Sequence, residues 1–545
     1  MNLTPEQESI ITTKDKTMLV AASAGSGKTF VVVEKIINSI VNERKQIDSL
    51  LIVTFTNAAA SELRERIVKK LQEVLKTATE LGDIELTYHI SKQINKAWSA
   101  NISTIHSFCL SIIKDNFYIL GVDPNVTTID ASRANIMLTE AINEAIDEEY
   151  EKKTPAFYDV LEILGSEEEL VLLSQKLYEF YSHVTDKEAF LEKVLAVYDM
   201  DGISDISETV VGQKIIYDIK SRLSLNYLEL DNIISKLDGY DEFLKHKEIL
   251  ELLKKNIKEV LDEPLYDNIR TKLNKAEVLP NMPRYTGSDT QTKDNILNIR
   301  KKIIEDIRSF GKIAYKDTAG IVTEQNKMKP CIEWLFQYIA RVKEIYSLKK
   351  QKKCVIDFTD YEELALIALQ NDEVVKRYKS KFDTIYVDEY QDTSYAQEEI
   401  ISKITKENNC VMVGDVKQSI YGFRNAAPEL FSSKYESFSE DTKAKDISQV
   451  KIILDKNFRS RKQVLSSIND IFEKVMTLEF GGARYTEKET LKYGNLYDEQ
   501  NSQNNYSTQI NLIELDKSVV DDELETLTSI ETESEEVAKK IKELT

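Results

Sequence analysis

The amino-acid sequence predicts an α/β protein: a doubly wound parallel sheet of the phosphate-loop class, interrupted by a large helical insertion and followed by the start of a second domain of the same kind. Three observations predict it. An apolar run, Thr17 to Ala21, leads directly into Ala22-Ser23-Ala24-Gly25-Ser26-Gly27-Lys28-Thr29, which reads as strand, phosphate loop and helix start. A second apolar run, Thr384 to Val387, delivers Asp388-Glu389-Tyr390-Gln391-Asp392 at its end, where open α/β sheets place their ligands. Around them, short apolar strands alternate with amphipathic helical stretches, the pattern of a parallel sheet with helical crossovers.

In chain order, Thr4-Pro5-Glu6-Gln7 forms a capping box that opens the first helix, with Thr4 as N-cap and Gln7 at the third helical position. In the loop that follows the first strand, Gly25 and Gly27 let backbone N–H groups turn toward phosphate oxygens. Lys28 can reach the β- and γ-phosphates, and the Thr29 hydroxyl can ligate Mg²⁺ at a positive helix N-terminus. Leu50 to Phe55 is a second buried strand, and a helix opens near Asn57 and continues through Leu63, Ile67 and Leu71. Asn101 to Ile105 is a third strand. His106 and Cys109 behind it are three apart, half of a metal-site spacing with no second half, so packing is the simpler reading.

The long interval from Phe117 to Thr384 has almost no strand pattern and reads as helical. Leu170, Leu173, Leu177 and Phe180 fall on one face, as do Ile249, Leu252, Leu253, Ile257, Val260 and Leu261. The turn-forming run Pro280 to Gly287 divides it. We read the interval as a subdomain inserted into the first α/β domain; the alternative is an accessory domain with no role in the site. Beyond it, Asp388 is placed to hold Mg²⁺ and Glu389 to polarise an attacking water. Val411 to Asp415 and Val450 to Leu454 are further strands. Residues 495–505 read as a polar surface loop and 521–536 as an acidic, partly solvated stretch. A last helix carries Val537, Ile541 and Leu544 on one face.

Composition frames these motifs. At 545 residues and 42% hydrophobic content the chain suits several large cores. Cys109, Cys331, Cys354 and Cys410 are scattered without a C-x-x-C pair, which argues against a disulfide framework or a zinc or iron–sulfur cluster. The polar N-terminus and the lack of any run of about 18 apolar residues predict no membrane span and a cytoplasmic protein. The net charge of −21 speaks against a broadly basic coating protein but not against a local groove that grips a nucleic-acid strand.

The order of Gln7, Ala22 to Thr29, Thr54 to Ala60, Ser103 to Phe108, Asp388 to Asp392, Val413 to Tyr421 and Asn457 to Ser460 resembles the UvrD/Rep-like helicases. Ser103 to Cys109, Asp357-Phe358-Thr359-Asp360-Tyr361 and Gly422 to Phe431 look most like the AddA helicase–nuclease subunits, and more distantly like RecB. The resemblance implies a RecA-like motor domain at 1–116 and 351–449, a helical insertion at 117–350, and the beginning of a second RecA-like domain at 450–545. It implies an ATP-dependent, 3′ to 5′ DNA helicase or translocase of double-strand-break repair and recombination in the bacterial cytoplasm. Its cofactors would be ATP and Mg²⁺, and its partners single- or double-stranded DNA and an AddB-like subunit.

By the same resemblance Gln7 reads the adenine edge, a role that competes with its capping role. Gln418 senses the γ-phosphate, Arg459 meets it from the second motor domain, and Phe458 stacks on adenine. Phe55, Thr56, Asn57, His106, Tyr421, Phe423 and Arg424 would border the DNA groove. Several departures stand out. Ala22 replaces the usual first glycine, Phe458 lacks a hydroxyl, and Phe423 stands where many relatives carry tryptophan. The later helicase motifs and a nuclease constellation are missing, so the chain is expected to be C-terminally truncated and to unwind poorly alone. The alternatives are a DNA-stimulated ATPase without unwinding, a UvrD/Rep-type repair helicase without nuclease, and a non-catalytic DNA-binding scaffold.

Overall fold

In the computed structural model the described residues are 3–182, 184, 186–444, 446–477, 485–487, 489–494 and 522–544, with backbone alone at 522–529 and 544. Residues 495–505 lie outside them. The chain divides into two compact units, Met1–Asn116 with Glu362–Thr545, and Phe117–Tyr361.

In chain order the strands are β1 (Thr17–Ala22), β2 (Leu50–Thr54), β3 (Asn101–Thr104), β4 (Thr127–Thr128), β5 (Val355–Ile356), β6 (Thr384–Val387), β7 (Cys410–Gly414), β8 (Gln449–Leu454), β9 (Lys456–Asn457) and β10 (Lys492–Tyr493). Six of them form one sheet in the order β3-β2-β6-β7-β1-β8. Every ladder in it is parallel: Ile52 lies between Ile102 and Tyr386, and Val20 between Val413 and Ile452. β2, β6 and β7 are buried along their whole length, as expected of strands covered on both faces. Because all six strands run the same way, the loops that follow them emerge at a single sheet edge.

The helix α1 (Pro5–Thr12) begins at Thr4 with both capping-box hydrogen bonds formed. The helix α2 (Lys28–Val41) buries Val31, Val32, Val33, Ile36 and Ile40 against Met18, Val20, Tyr386 and Val413 in the core of this unit. The helix α3 (Asn57–Glu80) buries Leu63, Ile67 and Leu71, the positions its periodicity marks.

Two boundaries are corrected. Val450 to Leu454 does not open a separate domain; it is β8, the edge strand beside β1, registered from Thr17↔Gln449 to Ala22↔Leu454. An apolar run cannot distinguish a last strand of one sheet from a first strand of the next, because pairing partners are set by topology. The expected boundary at 350 likewise falls inside a continuous helix, Thr318–Lys352, and Lys350 is held by Asp357 and Asp360, so the second unit runs on to Tyr361.

The second unit is helical, apart from the short parallel pair β4 and β5. One core gathers Leu223, Leu250, Leu253, Tyr266, Ile303 and Phe310, another Ile142, Phe157, Leu170, Trp334, Tyr338 and Tyr346. The run Pro280 to Gly287 lies in the connection between the helices Tyr266–Glu277 and Thr290–Ile313. The apolar face expected for the helix Glu167–Ser182 is offset: Leu170, Ser174, Tyr178 and Tyr181 are buried, while Phe180 is 50% exposed. Ser174 can sit inside because its hydroxyl donates to the Leu170 carbonyl at 2.6 Å, and Tyr178 meets Tyr346 edge-on. In the helix Leu244–Leu261, Leu253, Ile257 and Val260 are buried as expected, but Leu250 and not Leu252 completes the stripe.

The Asp357 to Tyr361 motif is a buried polar turn in this unit. Asp357 accepts from Tyr346, Lys350 and Thr359, and Asp360 holds Lys350 through both oxygens at 2.6 and 2.7 Å. Burial pushes Asp360 up to about 6 against the pull of Lys350, while Lys350, Thr359 and Tyr346 outweigh burial at Asp357 and hold its carboxyl low. In the final helix, Asp522–Leu544, the acidic residues from Glu531 onward are exposed. So are Val537 and Ile541.

Candidate functional site

The loop between β1 and α2 is shaped by two glycines in the left-handed region, Gly25 at φ +71° and Gly27 at φ +85°. Gly27 is the N-cap of α2 and offers no capping side chain, so the first N–H groups of the helix face outward with the helix dipole behind them. The Gln7 side-chain NH₂ donates to the Ser26 carbonyl at 3.2 Å while its Oε1 accepts from the Thr4 N–H at 3.1 Å. The capping box therefore forms, and the same amide braces the loop. Ser26 Oγ is buried with no hydrogen-bond partner.

Lys28 reaches across the sheet edge. Its Nζ lies 3.1 Å from Glu389 Oε2 at the end of β6. Glu389 itself adopts φ +51°, a conformation that costs a non-glycine residue on the order of 1 kcal/mol or more and recurs at functional sites. Beside it, burial first and the Glu389 charge second push Asp388 up to about 6, with Lys28 opposing. Asp392 is raised for the same two reasons. The interaction of the phosphate-loop cation Lys28 with a cluster of partly desolvated acids is the electrostatic core of the site.

Past β8, the chain folds back on the phosphate loop. Asn457 Nδ2 donates to the Ala24 carbonyl at 2.7 Å, and the Phe458 N–H donates to the Gly25 carbonyl at 2.9 Å. Asn457 Oδ1 accepts from the N–H groups of Arg459 and Ser460. A Cβ at residue 25 would lie 2.6 Å from Asn457 Nδ2, so glycine is required there by contact as well as by φ. Arg459 is exposed. Just after β7, Asp415 accepts from the Gln418 amide at 2.7 Å and from Lys417 at 2.9 Å.

A pocket at the ends of β2 and β6, lined by Thr54, Phe55, Asp388, Glu389, Asp392 and Thr393, joins this acid cluster to an aromatic strip. Phe55 and Tyr421 have ring centroids 4.4 Å apart, Tyr421 and Phe423 5.8 Å, and the Arg424 guanidinium lies over both tyrosine and phenylalanine. Phe423 is 75% exposed. Thr56 caps α3 by accepting from the Ala59 N–H, which leaves Asn57 exposed on the first turn. His106 Nε2 lies 3.6 Å from Glu362. Among the described residues no group of three or more His, Cys, Asp or Glu could hold a metal, and Cys109 is buried, its thiol pushed well up by desolvation.

Two site residues were named within their motifs but given no role of their own. Asn457 precedes the singled-out Phe458 and Arg459, and only the fold brings it to Ala24. Gln391 lies within the acidic run; an amide placed between acids was the available signal.

Known proteins resemble this sequence along most of its length. The chain is 35% identical over its full length to an ATP-dependent helicase/nuclease subunit of Alkaliphilus metalliredigens (strain QYMF), covering 45% of that protein. It is 36% identical over 99% of its length to the protein of the same name from Alkaliphilus oremlandii (strain OhILAs), again covering 45%. Against the namesake from Clostridioides difficile (strain 630) it is 32% identical over 95% of its length, covering 42%. It thus spans a little under half the length of the curated relatives it matches. No helix among the described residues is long and apolar enough to cross a membrane. The sequence model of the UvrD/REP helicase N-terminal domain matches residues 3–439, a span that takes in the phosphate loop, the acid pair and the aromatic strip; the chain belongs to the UvrD/REP helicase N-terminal domain family.

Proposed function

We propose that this chain is the ATP-hydrolysing motor part of a DNA helicase or translocase of the AddA kind, a RecA-like phosphate-loop fold that works with an AddB-like partner in double-strand-break repair in the bacterial cytoplasm. The observation that carries the reading is the 3.1 Å contact between Lys28 and Glu389, which brings a phosphate-loop amine and a strand-end acid together across the sheet edge. An arriving triphosphate competes with Glu389 for the Lys28 ammonium. Lys28 then offsets phosphate charge, and the released Glu389 carboxylate orients the attacking water. The uncapped first N–H groups of α2 and the unpartnered Ser26 hydroxyl are donors suited to phosphate oxygens. Gln7 braces the loop and offers its remaining N–H to adenine, and Phe458 stacks there.

Thr29 and Asp388 supply the hard oxygen donors that suit Mg²⁺, which takes most of its ligands from phosphate and water. Bound there, the cation supplies charge neutralisation at the phosphates. A carboxyl raised to about 6 by burial and a neighbouring acid has the environment that a cation relieves. Gln418, held by Asp415, is the γ-phosphate sensor, and Arg459, on the loop that Asn457 ties to the phosphate loop, brings positive charge to the transition state. The strip Phe55, Tyr421 and Phe423, with Arg424, Thr56, Asn57 and His106 at its borders, takes single-stranded DNA by stacking at about 1–3 kcal/mol per base, independent of base identity. Movement is 3′ to 5′ by likeness to the family.

ATP turnover by the 545-residue chain, measured with and without single-stranded DNA, tests this reading. Turnover should rise with DNA and vanish in Lys28→Ala. Turnover indifferent to Lys28→Ala would defeat it. Strand displacement by this chain alone should be slow, and a robust rate would refute that part of the proposal.

A further inference from the structure

Gln391 makes more contacts with the acid cluster than any role so far requires. It is only 1% exposed, on the one-turn helix Tyr390–Asp392 that follows Glu389. Its side-chain NH₂ donates to Glu389 Oε2 at 2.9 Å and to Asp392 Oδ2 at 3.1 Å. Its Oε1 accepts the Asp415 N–H at 2.9 Å, at the end of the adjacent strand β7. Both hydrogens and the oxygen are thereby assigned. The amide cannot flip, because reversal would set its oxygen against two carboxylates and its NH₂ against a backbone N–H. Gly414 makes room for it: a Cβ on residue 414 would lie 2.4 Å from Gln391 Oε1.

The oxygen of Glu389 that Gln391 holds is also the oxygen that Lys28 holds. On the reading given above, ATP draws Lys28 away to phosphate. We propose that Gln391 is the positioning residue that keeps Glu389 aligned once Lys28 has left, gripping Oε2 so that Oε1 faces the attacking water. Gln391 touches neither nucleotide nor water; it acts through Glu389. The same side chain ties Glu389 to Asp415, whose carboxylate holds the Gln418 amide, and the Gln391 backbone carbonyl accepts from Ser419, two residues before the aromatic strip. The acid that orients water and the amide that senses the γ-phosphate thus hang on one buried side chain.

The test rests on the ATPase reading and separates the two. Steady-state kcat and KM for Mg·ATP, at saturating single-stranded DNA, are measured for the 545-residue chain and for Lys28→Ala, Gln391→Leu, Gly414→Ala and the Gln391→Leu/Gly414→Ala double variant, together with Tm. Gln391→Leu should lower kcat by roughly 10- to 100-fold with KM near wild type, the signature of misalignment and not of lost binding, and should lower Tm because the Asp415 N–H and the Asp392 carboxylate lose a buried partner. Gly414→Ala, by expelling the amide, should do the same. The double variant, whose added methyl no longer has an amide to displace and meets only the residue 391 backbone nitrogen and Phe431 Cε2 at 3.2 Å, should have a kcat no worse than Gln391→Leu. Wild-type kcat in Gln391→Leu, a rise in KM alone, or losses that multiply in the double variant would overturn the role of Gln391. Wild-type turnover no higher than that of Lys28→Ala would overturn the ATPase reading, and this inference with it.

Discussion

Each unit brings a lysine to a group of acids, and the two groups are finished differently. In the helical unit the Lys350 side chain is 4% exposed and is met by Asp357 and by both oxygens of Asp360, which in turn accept from Tyr346, Thr359 and the local backbone. At the sheet edge Lys28 meets a single oxygen of Glu389, the glutamate side chain is 39% exposed, and the neighbouring Ser26 hydroxyl has no partner. The first cluster is closed on itself and the second is left open. A saturated buried network serves packing and specificity, whereas unspent donors and a strained residue beside raised acids mark a place for a ligand.

The strongest way to break that contrast is Lys350→Met. It strands two buried carboxylates, so chemical unfolding should show a loss of about 3–5 kcal/mol while turnover per folded molecule stays within about twofold. A loss under about 1 kcal/mol would mean that the closed cluster is not the structural element described. Next in size, Asn457→Ala at the open edge removes a donor to Ala24 and an acceptor for two N–H groups. It should cost about 2 kcal/mol and weaken nucleotide binding, read by titration of a fluorescent ATP analogue. Unchanged affinity would detach the 457–460 loop from the site.

The smallest effect concerns Lys35, whose ammonium donates to the carbonyls of Ile10 and Thr13 at 2.8 Å and which burial pushes down to about 8 despite Glu43. Between about pH 8 and 10 the unfolded chain binds this proton and the folded chain does not, so stability rises with pH there. Relative to Lys35→Met, the wild type should gain up to about 1 kcal/mol per pH unit in that window. A flat difference would show that carbonyls alone keep the amine charged.

How much of this was legible in the sequence depended on range. The strand ends, the glycine loop and the Asp388-Glu389 pair are local patterns, and the fold sets them where those patterns indicate. The capping box at Thr4 and Gln7 was legible for the same reason; that its amide also holds Ser26 was not, because the contact crosses from one helix to another loop. β8 was misassigned since nothing local distinguishes a sheet's edge strand from a new domain's first. The buried face of Glu167–Ser182 was read one position off because a serine satisfied by its own helix occupies a core place that periodicity assigns to leucine.

β1 sits between β7 and β8, so Met18 finds its partners only at Val411 and Val450. At ribosomal rates of roughly 5–20 residues per second, the first-made strand waits tens of seconds for its neighbours, while every residue of the helical unit has already been synthesised. Newborn chains should therefore hold an ordered middle and an unsatisfied beginning, a stage at which a chaperone or a protease has its opportunity.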